Sequence, residues 1–127
     1  MKQQILVAFA VLFAAVASAG AQDAARGEKL FAACVVCHDP GQTNKQGPGL
    51  GGIVGRKSAV APGFRYSGAM KRARLVWTSA QLNAYLADPQ ALIPGNAMPF
   101  PGLPDARQRA DLIAYLATLK AVEPQPH

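Results

Sequence analysis

Apolar positions change rhythm several times along the chain. Ile5 to Val16 is almost wholly apolar, preceded by Met1-Lys2-Gln3-Gln4 and followed by Ala17-Ser18-Ala19. A basic start, a short apolar run and small residues of A-x-A type predict a secretory leader, residues 1–21, cleaved after Ala19 or Ala21. The alternative is an uncleaved membrane anchor, but the run is short for a hydrocarbon core of about 30 Å. A helical rhythm follows: Gly27, Leu30, Phe31 and Cys34 share one face, and Asp23 is placed to cap a helix over 23–34. Residues 39–63 read as loop, punctuated by Pro40-Gly41, Gly47-Pro48-Gly49 and Pro62-Gly63. A short helix is expected over 67–71. A better one runs over 78–87, with Thr78 as N-cap, Gln81 completing a capping box and Pro89 as its stop. Residues 88–104 read as a proline-rich irregular loop. Asp105 then caps a closing helix from Ala106 to about Lys120, whose apolar face is Leu112, Tyr115, Leu116 and Leu119. The segment 123–127 reads as a disordered tail. No repeat and no convincing strand is visible, so the expected class is all-α.

Without the leader about a hundred residues remain, enough for one domain over 22–122. Such a chain is small for a core of side chains alone. The formal charge is +6. Arg56, Lys57, Arg65, Lys71, Arg72 and Arg74 fall in one stretch without an acid. A basic surface speeds encounter with acidic partners or anionic membranes, although a charge run is as often a solvated face. Nucleic acid is a poor partner for an exported chain without a binding motif.

The chemistry concentrates in Cys34-Val35-Val36-Cys37-His38, a C-x-x-C-H motif holding the chain's only two cysteines and one of its two histidines. Two thiols and an imidazole at this spacing suit covalent attachment of one c-type haem through Cys34 and Cys37. His38 is then the proximal iron ligand. A zinc site would need four ligands, and no second C-x-x-C or H-x₃₋₅-H completes it. A thioredoxin-like motif would need a βαβ setting. A disulfide would leave His38 unexplained. A buried haem would also supply the apolar volume that a small core lacks.

The other iron face needs Met, His, Lys or nothing. The second histidine, His127, stands in the terminal tail. Met98 sits in Ile93-Pro94-Gly95-Asn96-Ala97-Met98-Pro99-Phe100, a proline-braced loop well past the attachment motif, and is expected to ligate. Met70 is expected to be core filler, the commoner fate of methionine. With His38 and Met98 on one iron no position stays open, which leaves one-electron transfer and no enzyme activity. Two rivals are a haem enzyme such as a peroxidase with an open iron site, and a membrane-tethered carrier that keeps its N-terminus. No distal acid–base constellation supports the first.

The chain resembles class I cytochromes c of the mitochondrial and alphaproteobacterial periplasmic kind. The likeness rests on Gly27 and Phe31, Cys34 to His38, Gly47-Pro48, Gly55-Arg56-Lys57, Ala61 to Ser67, Trp77, Tyr85-Leu86, Pro89, Ile93-Pro94-Gly95, Met98 and Arg109 to Leu116. It spans nearly all of the chain after the leader. It implies a small cytochrome c fold, three to five helices with long loops wrapped around the haem. It also implies export, because c-type haem is attached outside the bacterial cytoplasm. The implied function is that of a soluble, monomeric periplasmic carrier between membrane-bound redox complexes. By the same resemblance Pro48 accepts from the outer nitrogen of His38, and Arg56, Tyr66 and Trp77 face the haem propionates. Tyr85 lies near the Met98 sulfur. Gly27, Phe31, Leu112 and Tyr115 form the crossing of the first and last helices. The chain departs from its relatives in two ways. Met70 stands where Asn is common, and Ala33, Gln90, Ala91, Ala97 and Pro104 replace lysines at the haem edge, where Lys45 alone keeps its charge.

Overall fold

A computed structural model describes residues 5, 8–12 and 22–121. Most of the expected leader, the tail and His127 lie outside the described residues. Five helices follow in order: α1 (Ala24–Phe31), α2 (Gly68–Ala73), α3 (Ser79–Ala87), α4 (Pro89–Leu92) and α5 (Ala106–Leu116). Among the described residues there is no strand, only an isolated antiparallel bridge between Lys57 and Val76. The all-α expectation holds.

Each helix start has a side-chain cap. Asp23, Ser67, Thr78, Asp88 and Asp105 accept from the backbone N–H three residues on, satisfying donors that no earlier turn can reach. The capping box at α3 is half formed. Thr78 accepts from the Gln81 amide, but its own N–H donates to the Val76 carbonyl at 2.8 Å rather than to Gln81. Pro89 does more than stop α3. Asp88 closes α3 and caps α4, whose first residue is Pro89, where a missing N–H costs nothing. The expected irregular loop over 88–104 therefore begins with a turn of helix.

Helix α1 ends at Phe31, three residues before the expected Cys34. Turn hydrogen bonds carry the chain on, with Cys34 N–H to Phe31 O at 2.8 Å and His38 N–H to Cys34 O at 2.8 Å. Val35 and Val36 are β-branched and stiff in a helix, which favours this change of course. Helix α5 likewise closes at Leu116, short of Lys120.

Helices α1 and α5 cross closely because Gly27 has no side chain. A Cβ there would overlap the Asp111 carbonyl and lie 2.8 Å from the Tyr115 Cβ. Phe31 and Tyr115 pack beside it with ring centroids 5.2 Å apart. The crossing also hides Asp111, which is 3 % exposed. Its carboxylate accepts from Arg26 Nε at 2.9 Å and from the Asp23 backbone N–H at 2.8 Å. The Arg26 hydrogen bond holds the Asp111 carboxyl below the usual range. One continuous core joins Phe31, Trp77, Leu82, Tyr85, Leu112 and Leu116. The loop over 39–63 closes on the turn that follows α5 through the Gly52 N–H and the Leu119 carbonyl, 2.8 Å apart.

Candidate haem site

The core opens into a cavity of about 500 Å³ with mainly apolar walls. Both thiols of the C-x-x-C-H motif line it, as do His38, Pro48, Tyr66, Trp77, Tyr85 and Met98. Arg56 alone among the sequence candidates stands outside the lining. Its guanidinium donates to the carbonyls of Gly49 and Gly51, each at 3.1 Å. Burial lowers its pKa.

His38 is fixed by the loop that follows it. Its Nδ1 lies 2.8 Å from the Pro48 carbonyl. A carbonyl only accepts, so Nδ1 carries the proton and Nε2 keeps a lone pair. Burial lowers the imidazole pKa, outweighing the Pro48 contact, which favours the neutral ring a metal needs. Gly47 makes room for the ring: a Cβ there would sit 2.6 Å from Nδ1. Asn44 pins the same loop, donating to Pro62 O at 2.8 Å and accepting from Gly49 N–H at 3.3 Å. Cys34 and Cys37 are half-buried free thiols. Burial raises the Cys34 pKa. The Cys37 Sγ donates to Gln46 Oε1 at 3.2 Å.

Met98 lines the same cavity, and its loop is held by a residue that spacing did not single out. Asn96 is buried and donates to Pro89 O at 3.0 Å and Ile93 O at 2.9 Å. Its Oδ1 accepts from the Met98 N–H at 3.0 Å. Gln90 adds a strap, from its amide to Asn96 O at 3.0 Å and from Gly95 N–H to its Oε1 at 3.0 Å. A turn dipeptide such as Gly95-Asn96 signals only a loop, so nothing in the sequence pattern marked Asn96 as this brace.

Aromatic side chains close the remaining wall. Trp77 and Tyr85 lie 5.0 Å apart, and burial pushes the Tyr85 hydroxyl up to about 12. Tyr85 is therefore a neutral donor at any physiological pH. The Tyr66 hydroxyl accepts from the Ala61 N–H at 3.0 Å, which leaves its own hydrogen to donate. Met70, half-buried on α2, lines the same cavity as Met98. Ala97 stands exposed on its lining.

These residues fit a haem. The volume is of cofactor size and largely apolar, the two thiols stand on its wall, and one imidazole offers a lone pair. Among the described residues no group of three or more His, Cys, Asp and Glu side chains could hold a metal ion unaided. That arrangement defines a class of small haem proteins with covalent thioether attachment. A cytochrome c family model matches residues 24–120, so the chain belongs to the cytochrome c family. Cytochrome c2 of Blastochloris viridis is 48 % identical over 113 residues, covering 87 % of this chain and 89 % of that protein. Cytochrome c of Chlamydomonas reinhardtii is 50 % identical over 103 residues, covering 79 % and 92 %. The solved structure of cytochrome cH from Methylobacterium extorquens superposes with a TM-score of 0.73 at 46 % identity, covering 76 % of this chain and 98 % of that one. The family carries covalent haem c, for which Cys34 and Cys37 are the attachment thiols, and its members are electron carriers rather than enzymes. Among the described residues no helix is long and apolar enough to cross a membrane.

Proposed function

We propose that the protein is a periplasmic one-electron carrier whose haem is ligated by His38 and Met98. The observation that carries this reading is that His38 and Met98 line one cavity, each on a loop fixed by its own hydrogen bonds. When bound there, the haem supplies a reversible one-electron couple between ferric and ferrous iron. Pro48 holds His38 in the tautomer that presents Nε2 to a metal. Asn96 holds the Met98 backbone, so the soft thioether is offered without a large reorganisation on electron gain or loss. Trp77, Tyr85 and the apolar lining exclude water, which further limits reorganisation. Arg56 acts on the site through the Gly49 and Gly51 carbonyls that follow Pro48, and we read it as a positioning residue. Residues 1–21 are read as an export leader, and that reading supports a periplasmic location for the mature chain. Its partners are then donor and acceptor redox proteins.

The test is carbon monoxide binding by the reduced protein at neutral pH. A carrier with both axial positions filled leaves the spectrum unchanged, whereas a haem enzyme with an open site shifts at once. N-terminal sequencing of the mature protein separates cleaved carrier from tethered one.

A further inference from the structure

Arg65 is the one side chain with a permanent charge among the described residues that line the haem cavity, and no Asp or Glu stands beside it there. It is exposed, and neither of the ion pairs among the described residues takes it up. Arg56, the cation that the resemblance sets at the propionates, stands outside the lining. Its guanidinium is engaged elsewhere, by the Gly49 and Gly51 carbonyls at 3.1 Å. The cavity thus has a cation at its wall, but a different one from that expected.

The two residues after Arg65 line the cavity as well, and each has a hydroxyl hydrogen to offer. Tyr66 accepts from the Ala61 N–H at 3.0 Å and Ser67 from the Met70 N–H at 3.1 Å, so these bonds use an oxygen lone pair and leave the hydrogen free. The backbone beneath them is well fixed. Tyr66 packs edge-on against Phe64 with ring centroids 4.8 Å apart, Ser67 caps α2, and Asn44 donates to Pro62 O at 2.8 Å. Arg65, Tyr66 and Ser67 therefore make one short stretch of hydrogen-bond donors on a mainly apolar wall.

We propose that Arg65 pairs with a haem carboxylate at this edge of the cavity, with the Tyr66 and Ser67 hydroxyls as further donors. The pairing rests on the haem occupying the cavity, as the proposed function requires, and not on which residue is the sixth ligand. A haem is apolar over most of its surface and carries two carboxylates. An ionised carboxylate against an apolar wall is costly unless it is paired. A guanidinium fork meets a carboxylate in two parallel hydrogen bonds, a geometry that an ammonium cannot reproduce. The pairing also bears on electron transfer. Reduction adds one negative charge to the haem, and a cation held at its edge favours the ferrous form. Arg65 thereby raises the potential of the carrier.

The test is a redox titration of the holoprotein at low ionic strength, run beside its redox-difference infrared spectrum with the haem carboxylates isotopically labelled. Arg65→Gln should shift the equilibrium towards the ferric form about threefold to tenfold, the effect of one charge lost across a partly solvated distance. It should also move the labelled carboxylate band. Arg65→Lys should hold the equilibrium within about twofold while the band still moves, because the charge is kept and the fork is lost. Lys57→Gln removes the same charge from an exposed side chain outside this lining and should shift the equilibrium less than about twofold. The thioether-to-iron band should persist in all three variants, so that a lost ligand does not account for the change. Absence of that band from the unaltered protein would count against Met98 as ligand and leave the comparison at Arg65 standing. The proposal is overturned if Arg65→Gln shifts the equilibrium no more than Lys57→Gln does, or leaves the labelled band in place. Slower electron exchange with a redox partner in that same unshifted variant would give Arg65 to docking instead.

Discussion

The two walls of the cavity reach similar order by different means. On the His38 wall, Cys34, Cys37 and His38 come from five consecutive residues, and the Pro48 carbonyl that holds the imidazole is ten residues away. On the Met98 wall the brace is Asn96, a buried amide tied to Pro89, Ile93 and Met98. The first wall is specified by covalent spacing and tolerates little change in residue type. The second is specified by a small polar network inside an otherwise apolar region, and such networks fail when one member is left unpaired. The walls should therefore break differently: one by losing the cofactor, the other by losing a ligand or some stability.

The largest effect is expected on the His38 wall. Cys34→Ser/Cys37→Ser removes both thioether anchors, and acid–acetone extraction should then move the haem wholly into the organic layer. The unaltered chain should keep its colour after denaturation. Free haem recovered from the unaltered chain would refute covalent attachment.

On the Met98 wall, Met98→Ala should abolish the near-infrared thioether-to-iron band and lower the potential by an appreciable part of the roughly 0.8 V that axial ligands span. Met70→Ala should leave the band in place, although Met70 lines the same cavity. The reverse outcome would hand the ligand role to Met70, with α2 in place of the Asn96 loop as the ligand's carrier.

The next test asks what holds that loop. Asn96→Ala removes three hydrogen bonds, two buried ones to the Pro89 and Ile93 carbonyls and a part-buried one from the Met98 amide, at about 1 kcal/mol each, so about 2–3 kcal/mol should be lost. Pro94→Ala should cost only about 0.4–1 kcal/mol, because it acts mainly through the unfolded chain. Equal costs in urea unfolding would restore the prolines as the principal brace.

That contrast also marks how much could be read from the chain alone. The C-x-x-C-H motif is local, as are the caps at Asp23, Thr78 and Asp105, and each lies where expected. The crossing at Gly27 followed from a resemblance rather than from rhythm, since a glycine on a helix face does not name the backbone it meets. Helix α4 was hidden because proline reads as a stop and is equally a good first residue. Asp111 drew no separate reading from the sequence, because its burial depends on Arg26 and Asp23, far away in the chain. Asn96 escaped for a different reason: its carbonyl partners Pro89 and Ile93 are near in sequence, but they belong to an irregular chain course that no periodicity encodes.

Asp111 ties the start of α1 to α5 and is not among the residues lining the cavity, so changing it should affect both walls alike. Its carboxyl is held low by Arg26, and a depressed folded-state pKa adds stability above the unfolded value of about 3.9. That contribution disappears as pH falls through the folded value. Asp111→Asn should therefore melt earlier than the unaltered chain at pH 7. The gap should close below about pH 4, with the thioether band unchanged at neutral pH. A gap that stayed constant down to pH 2 would mean that the carboxylate charge contributes nothing.

The smallest effect is expected at the cavity mouth. Ala33, Ala97 and the cation Arg65 line the cavity, whereas Lys45, the cation the resemblance leads one to expect at the haem edge, is not among the lining residues. The Lys45 ammonium already donates to the Val35 carbonyl at 2.6 Å, so part of its hydrogen-bonding capacity is taken within the chain. Exposed ion pairs contribute about 0–1 kcal/mol, hence Lys45→Ala should weaken partner affinity no more than about fivefold. Encounter is another matter, since it follows the summed field of a chain with charge +6. Raising salt above about 0.1 M, where screening acts within about 10 Å, should slow association with the redox partner while the bound complex weakens only modestly. Neutralising Lys71 and Arg72 should slow association more than Lys45→Ala does, because it removes two charges from the basic stretch rather than one. Stopped-flow electron transfer against ionic strength reads both quantities. If affinity collapses steeply with salt and Lys45→Ala accounts for most of the collapse, charge at the mouth still governs docking, and apolar contact there does not.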